Sequence, residues 1–155
     1  MMNLQRRRRG FSLIELLIVI AIILIIITIA LPKFSSAQRY AKETSALGAI
    51  RTIHTMQVQY YSQYGKYATA LTELGPPASG AEGPAAAGLI DSTLASGEKG
   101  GYKFTLSANS GGYIINAAPV AFGVSGSRTF FSDQSMVVRQ NFGQEPATAN
   151  SPEIK

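Results

Sequence analysis

Between Phe11 and Leu31 the sequence is apolar at all but three of 21 positions, the exceptions being Ser12, Glu15 and Thr28. As a helix this run rises about 30 Å, the thickness of a bilayer's hydrocarbon core. The sequence beyond Leu31 is polar and rich in Gly, Ser, Ala and Thr, so the apolar character is concentrated at one end of the 155 residues. That asymmetry fits an anchored chain, with enough sequence left for one small domain.

The formal charge of +5 comes mostly from one place, Arg6, Arg7, Arg8 and Arg9. Without those four the balance is +1, and the remaining Lys and Arg form no basic face, so no specific nucleic-acid binding is expected. There is no cysteine, which excludes disulfides, thiolate catalysis and Cys-ligated metals.

Residues 1–37 admit three readings. A conventional secretory signal would use Ser35-Ser36-Ala37 as its cleavage site, but the apolar run is longer than the roughly 7–15 residues typical of such a centre and carries a carboxylate near its front. A plain single-span anchor fits the length, with Arg6 to Arg9 held in the cytoplasm and the C-terminus sent outward. The third reading keeps that orientation and adds a cleavage.

The third reading rests on Arg6-Arg7-Arg8-Arg9-Gly10-Phe11-Ser12-Leu13-Ile14-Glu15-Leu16-Leu17, which closely resembles the type IV prepilin signal. Members of that family carry a short basic leader ending in Gly. The resemblance implies that a prepilin peptidase cuts between Gly10 and Phe11 on the cytoplasmic side and methylates the new N-terminus at Phe11. Residues 1–10 are then a cleaved leader.

The residue chemistry agrees with this. Gly10 lets an enzyme approach the backbone closely, because no Cβ intervenes. A carboxylate in hydrocarbon costs ~2.5–3.5 kcal/mol at the span centre even on lenient insertion scales, so a partner is expected for Glu15. Leader removal creates a positive amine on Phe11, and Glu15 of one subunit could pair with the amine of its neighbour, setting register more than stability. The alternative is that Glu15 snorkels to the headgroups.

Pro32 closes the apolar run. It removes a backbone bond to the Thr28 carbonyl, so a helix kink is expected there, and the family commonly carries a Pro at the matching place. Beyond it Phe34, Ala37, Ala41, Thr44, Leu47, Ile50, His54, Val58 and Tyr61 recur at helical spacing, with Arg39, Lys42, Glu43, Arg51 and Gln57 between them. One helix is therefore expected from about Phe11 to about Tyr64, ending at Gly65. Its half 11–31 is the transmembrane and filament-core part, and its half 32–65 is amphipathic.

A globular head is expected over 66–142. Residues 75–101, dense in Gly, Pro, Ala and Ser, read as a loop region in which Leu89 to Leu94 form a short helix or extended turn. Residues 102–142 read as a sheet. Tyr102, Phe104 and Leu106 alternate with polar residues, Asn109 to Gly112 turn the chain, and Tyr113 to Ala118 return. Arg128 to Ser132 and Met136 to Arg139 make a second hairpin. Residues 143–155 read as a loose tail. The fold class is α+β: a long N-terminal helix packed on a small antiparallel sheet of about four strands, through Tyr102, Phe104, Ile115, Phe130 and Val138. The aromatic stretch from Tyr60 to Tyr67 and the final hairpin also resemble pilins, where a disulfide often staples the C-terminal region; this chain cannot form one.

Catalysis finds little support in the sequence. His54 is the only histidine, and it reads as packing or interface. Gly123-Val124-Ser125-Gly126-Ser127 lacks the last Gly and the strand-to-helix setting of a nucleophile elbow. Asp91, Glu98 and Asp133 are isolated, so no calcium loop is visible. The tyrosines are read as packing with polar tips, in preference to an electron path. No enzyme activity, cofactor or metal is expected.

The resemblance implies a type IV pilus subunit that waits in the inner membrane as a single-pass precursor and then joins a homo-oligomeric filament. Its partners would be like subunits, the prepilin peptidase and N-methyltransferase, an assembly platform with an ATPase, and the membrane itself. A type II secretion pseudopilin, forming a periplasmic pseudopilus, is the alternative. The major members of that class often bind calcium, which favours the pilus. A membrane-anchored binding domain is the second alternative.

Overall fold

The computed structural model describes residues 10–154, so the arginines of the expected leader lie outside the described residues. Two compact units are present, divided after Ser36. Helix α1 (Leu13–Tyr64) contributes to both.

In the first unit every described side chain is exposed, from Phe11 through Leu31 and on to Ser36. Ser12 opens α1. Its carbonyl accepts from Leu16 N at 3.2 Å, and its own amide donates to Glu15 Oε2 at 3.2 Å. Ser12 and Glu15 thus stand as the first and last positions of a capping box, with the acid satisfying an orphan donor and meeting the positive end of the helix dipole. Pro32 lies inside α1 and offers no N–H to the Thr28 carbonyl. The Thr28 hydroxyl donates to Ile25 O at 2.7 Å, which keeps its polarity within the helix.

In the second unit α1 buries Glu43, Ala46, Ala49, Ile50, Ile53, His54, Gln57 and Tyr60. This face is shifted by about one residue, or roughly 100° of helix, from the stripe expected from apolar spacing. Phe34, Ala37, Ala41, Thr44, Val58 and Tyr61 are exposed, and only Ile50 and His54 lie on both faces. The expected stripe omitted two of the face's three polar members, Glu43 and Gln57. Glu43 and Gln57 are 4% and 0% exposed, and both find hydrogen-bond partners in the head. Gly65, at φ +70, ends α1 as expected.

The loop region holds more structure than its composition suggests. Short helix α2 (Leu71–Leu74), just ahead of that region, and α3 (Ser92–Ala95) within it bring Leu71, Leu74 and Leu94 into the core, and strand β1 (Glu98–Lys99) comes next. The amide of Leu89 donates to Leu74 O at 2.8 Å and that of Ala87 to Glu73 O at 2.8 Å, so this segment is pinned to α2.

The sheet then runs β2 (Tyr102–Asn109), β3 (Gly112–Pro119), β4 (Arg128–Asp133) and β5 (Val138–Phe142). It is an antiparallel meander in the order β1-β2-β3-β4-β5, five strands where about four were expected. The additional strand is the two-residue β1. Tyr102, Phe104, Ile115 and Phe130 are buried in the core that faces α1, and Val138 packs against it.

Strand β4 is buried on both faces, from Thr129 through Ser132. Residues 143–154, expected as a loose tail, supply the second cover. The Thr129 hydroxyl donates to Glu145 O at 2.7 Å, and Ala147 is 2% exposed. Farther on, Gln140 N donates to Pro152 O at 2.9 Å, Ile154 N to Val138 O at 3.0 Å, and Arg139 reaches both Ser151 O and the Glu153 carboxylate. The tail's small polar residues hide this role, because its affinity for the sheet lies in backbone groups that any sequence carries.

Candidate functional site

Gly10 and Phe11 lie ahead of α1 in irregular, exposed backbone. The bond between them is therefore outside the helical hydrogen-bond ladder and open to an approaching enzyme. Phe11 is 80% exposed, and the apolar side chains after it are exposed on all sides of the helix. Such a helix requires lipid or other apolar helices around it. Glu15 is the one acid among them, held one turn from Phe11 by the Ser12 amide. Ser12 as the capping residue was not recognised from sequence, although Ser-x-x-Glu before an apolar run is a readable signal.

The head contributes two buried polar joints between α1 and the sheet. In the first, Glu43 accepts from Ser127 N at 2.8 Å and Ser127 Oγ at 2.9 Å, and takes Arg128 through Nε at 2.8 Å and a second nitrogen at 2.6 Å. Burial pushes the Glu43 carboxyl up, but the Ser127 amide and the Arg128 guanidinium outweigh it and hold the group below its ordinary value. Arg128 is itself braced by Gln140 Oε1 at 2.8 Å.

In the second joint His54 lies between two hydroxyls, Nδ1 to Tyr113 Oη at 2.7 Å and Nε2 to Ser132 Oγ at 2.7 Å. The Ser132 hydroxyl donates to Val137 O at 2.9 Å. Its oxygen must then accept from His54 Nε2–H, which leaves Nδ1 to accept from Tyr113. In this arrangement His54 cannot take the Ser132 proton, and Ser132 is fully buried, so the pair is no nucleophile and base. Burial holds the His54 pKa below its ordinary value, with Asp133 partly opposing, and raises Tyr113 to about 12.

The remaining candidates also resolve into structure. Ser125 is buried, and its hydroxyl exchanges bonds with Ala121 N and Ala121 O at 3.0 Å each. A Cβ at Gly126 would overlap the Tyr102 hydroxyl, which explains the small residue there. Asp91 caps α3 through Leu94 N at 3.0 Å and pairs with Lys99. Asp133 organises its turn through Ser135 N at 2.9 Å. Gln57 bonds both backbone groups of Ala68 at 2.9 Å, tying the end of α1 to the segment before α2. Tyr67 and Tyr113 pack with ring centroids 4.9 Å apart, and Tyr61 and Tyr67 at 4.7 Å. Among the described residues no cluster of His, Asp and Glu is arranged to hold a metal.

A family model described as the prokaryotic N-terminal methylation motif matches residues 5–31. The type IV major pilin protein PilA of Myxococcus xanthus (strain DK1622) is 39% identical over 69 residues, which is 44% of this chain and 31% of that protein. The chain thus spans about a third of the length of the curated relative it matches. No solved structure matches it. The chain carries a prepilin-type N-terminal motif on a pilin-like α+β fold, and its similarity is to a structural protein rather than an enzyme.

Proposed function

We propose that this chain is the structural subunit of a type IV pilus. A prepilin peptidase removes residues 1–10, the same enzyme methylates Phe11, and the subunit then passes from the inner membrane into a helical filament. The observation that carries this reading is the register of the N-terminal motif on the structure. Gly10 and Phe11 stand exposed just before α1, and Glu15 lies in its first turn. The precursor spans the membrane once with its leader in the cytoplasm, placed there by Arg6 to Arg9.

Cleavage places a cationic amine on Phe11, one residue before the Ser12 amide that already holds Glu15. Glu15 then takes up the amine of a neighbouring subunit, which fixes the stagger of the α1 helices. Lipid tails are as apolar as these helices, so close packing and this pair drive assembly, not the hydrophobic effect. Pro32 marks the point at which α1 yields as the helices pack. The assembly platform and its ATPase supply the work of extraction.

Intact-mass measurement and N-terminal sequencing of chains from the native envelope test this reading. The expected product begins at Phe11 and carries one added methyl group. Chains that still begin with Met1 and retain all four arginines overturn it.

A further inference from the structure

We propose that the loop between β3 and β4, residues 120–127, seats the head on an anionic lipid surface while the chain is held in the membrane. The inference rests on the reading of residues 11–31 as a membrane span.

Within five residues this loop exposes Val120 at 54%, Phe122 at 39% and Val124 at 68%. Single exposed apolar side chains are ordinary, but three on one short loop are not. The loop is also held firmly. Gly123 N donates to Gly126 O at 2.7 Å, Ser125 N to Ala121 O at 2.8 Å, and Ser127 N to Glu43 at 2.8 Å. Arg39 Nη1 donates to Gly123 O at 3.1 Å, so the loop is fastened to the part of α1 nearest the head's first residue, Ala37. The apolar side chains are therefore presented to the outside by a fixed backbone. Tyr40, next to Arg39, is 67% exposed and adds an aromatic ring of the kind that favours the headgroup region. The turn between β2 and β3 offers only Asn109, Ser110 and Gly111, all polar or small.

Two further observations select lipid as the partner. The first is reach. Eight residue-to-residue steps lead from Leu31 to Arg39. Even fully extended they cover at most about 29 Å, so the loop cannot leave the neighbourhood of a bilayer that holds residues 11–31. The second is charge. From Pro32 to Lys42 the chain carries Lys33, Arg39 and Lys42 and no acid, and the loop itself is uncharged. The first acid, Glu43, is buried against Arg128. Apolar side chains flanked by cations suit anionic headgroups over their acyl boundary.

The chain has no cysteine, so single cysteines report cleanly. The full chain, with Val124→Cys or Ser110→Cys carrying a fluorophore, is reconstituted in vesicles of phosphatidylglycerol and phosphatidylcholine that contain a spin-labelled lipid quencher. The Val124→Cys label should be quenched several-fold more than the Ser110→Cys label. The excess should shrink in phosphatidylcholine alone and in high salt, and vanish when Val120→Glu and Phe122→Glu are added to a chain that still floats with the vesicles. Equal quenching at the two positions in a floating chain overturns the seat and leaves the span reading intact. Shielding of the Val124→Cys label only at high protein-to-lipid ratio, without lipid quenching, assigns the loop to a second copy and also overturns it. A chain that does not float removes the span reading and the seat together.

Discussion

The Glu43 carboxylate and the Arg128 guanidinium meet at 2.6 Å with side chains only 5% and 16% exposed, joining α1 to β4 across 85 residues of sequence. Both lie at the end of the sheet where the β3–β4 loop returns, so one pair holds a helix, a strand and a loop in register.

Removing one partner of such a pair leaves the other charge buried. Glu43→Ala should therefore destabilise the head by about 3–5 kcal/mol, measured by urea unfolding of the full chain in detergent. Replacing Glu43 and Arg128 together with apolar residues should recover much of the loss. The pair also sets a pH dependence. A carboxyl held below its ordinary value of 4.5 binds its proton less readily when folded, so its contribution is complete above pH 4.5 and falls away as pH drops through the folded pKa. Unfolding curves collected from pH 7 to pH 3 should show stability declining in that lower range, and the decline should be smaller in the doubly substituted chain.

As the only histidine, His54 can be followed without ambiguity. Its folded pKa should lie below 6.5, and nitrogen-15 spectra should show the proton on Nε2. The sign here is that of a buried neutral base. Its contribution to stability is complete above pH 6.5 and is lost as pH falls through the folded value. Substituting His54→Phe strands the Tyr113 hydroxyl and should reduce stability by about 1–3 kcal/mol. An ordinary His titration at pH 6.5 would show that the two hydroxyl contacts do not hold in solution.

Ending the chain at Gly143 removes the cover of Thr129 and the backbone partners of Val138 and Gln140. The outer face of β4, with Phe131 on it, then meets water. The truncated chain should unfold at lower urea and bind a hydrophobic dye more strongly than the full chain, and it should exchange the amide hydrogens of β5 faster. Unchanged exchange in β5 would show that the tail lies on the sheet without supporting it.

Under the filament reading, Glu15→Ala should leave membrane insertion and the Gly10–Phe11 cleavage in place but cripple assembly. The same substitution removes the acceptor of the Ser12 amide, so the first turn of α1 should fray by an amount measurable as faster amide exchange. Normal fibres from this variant on electron micrographs would remove the pairing argument, whereas faster exchange alone would not.

The long helix, its end at Gly65 and the four main strands were legible because each follows a strong period or a single decisive residue. The buried face of α1 was not. Its members include Glu43 and Gln57, whose burial depends on Ser127, Arg128 and Ala68, partners 11 or more residues away in sequence. Apolar spacing contains no information about such partners. The docking of residues 143–154 was hidden for a related reason, since most of its bonds are made by carbonyls and amides. The N-terminal motif was readable because its residues follow a fixed spacing along one helix start, which the sequence displays directly.

A chain is made from its first residue to its last, and Thr129 precedes its Glu145 partner by 16 positions. Strands β2 to β5 can therefore pair while the outer side of β4 is still bare. Completion of the head waits on residues 143–154, so a molecule cut short before them carries a paired sheet with the outer side of β4 bare.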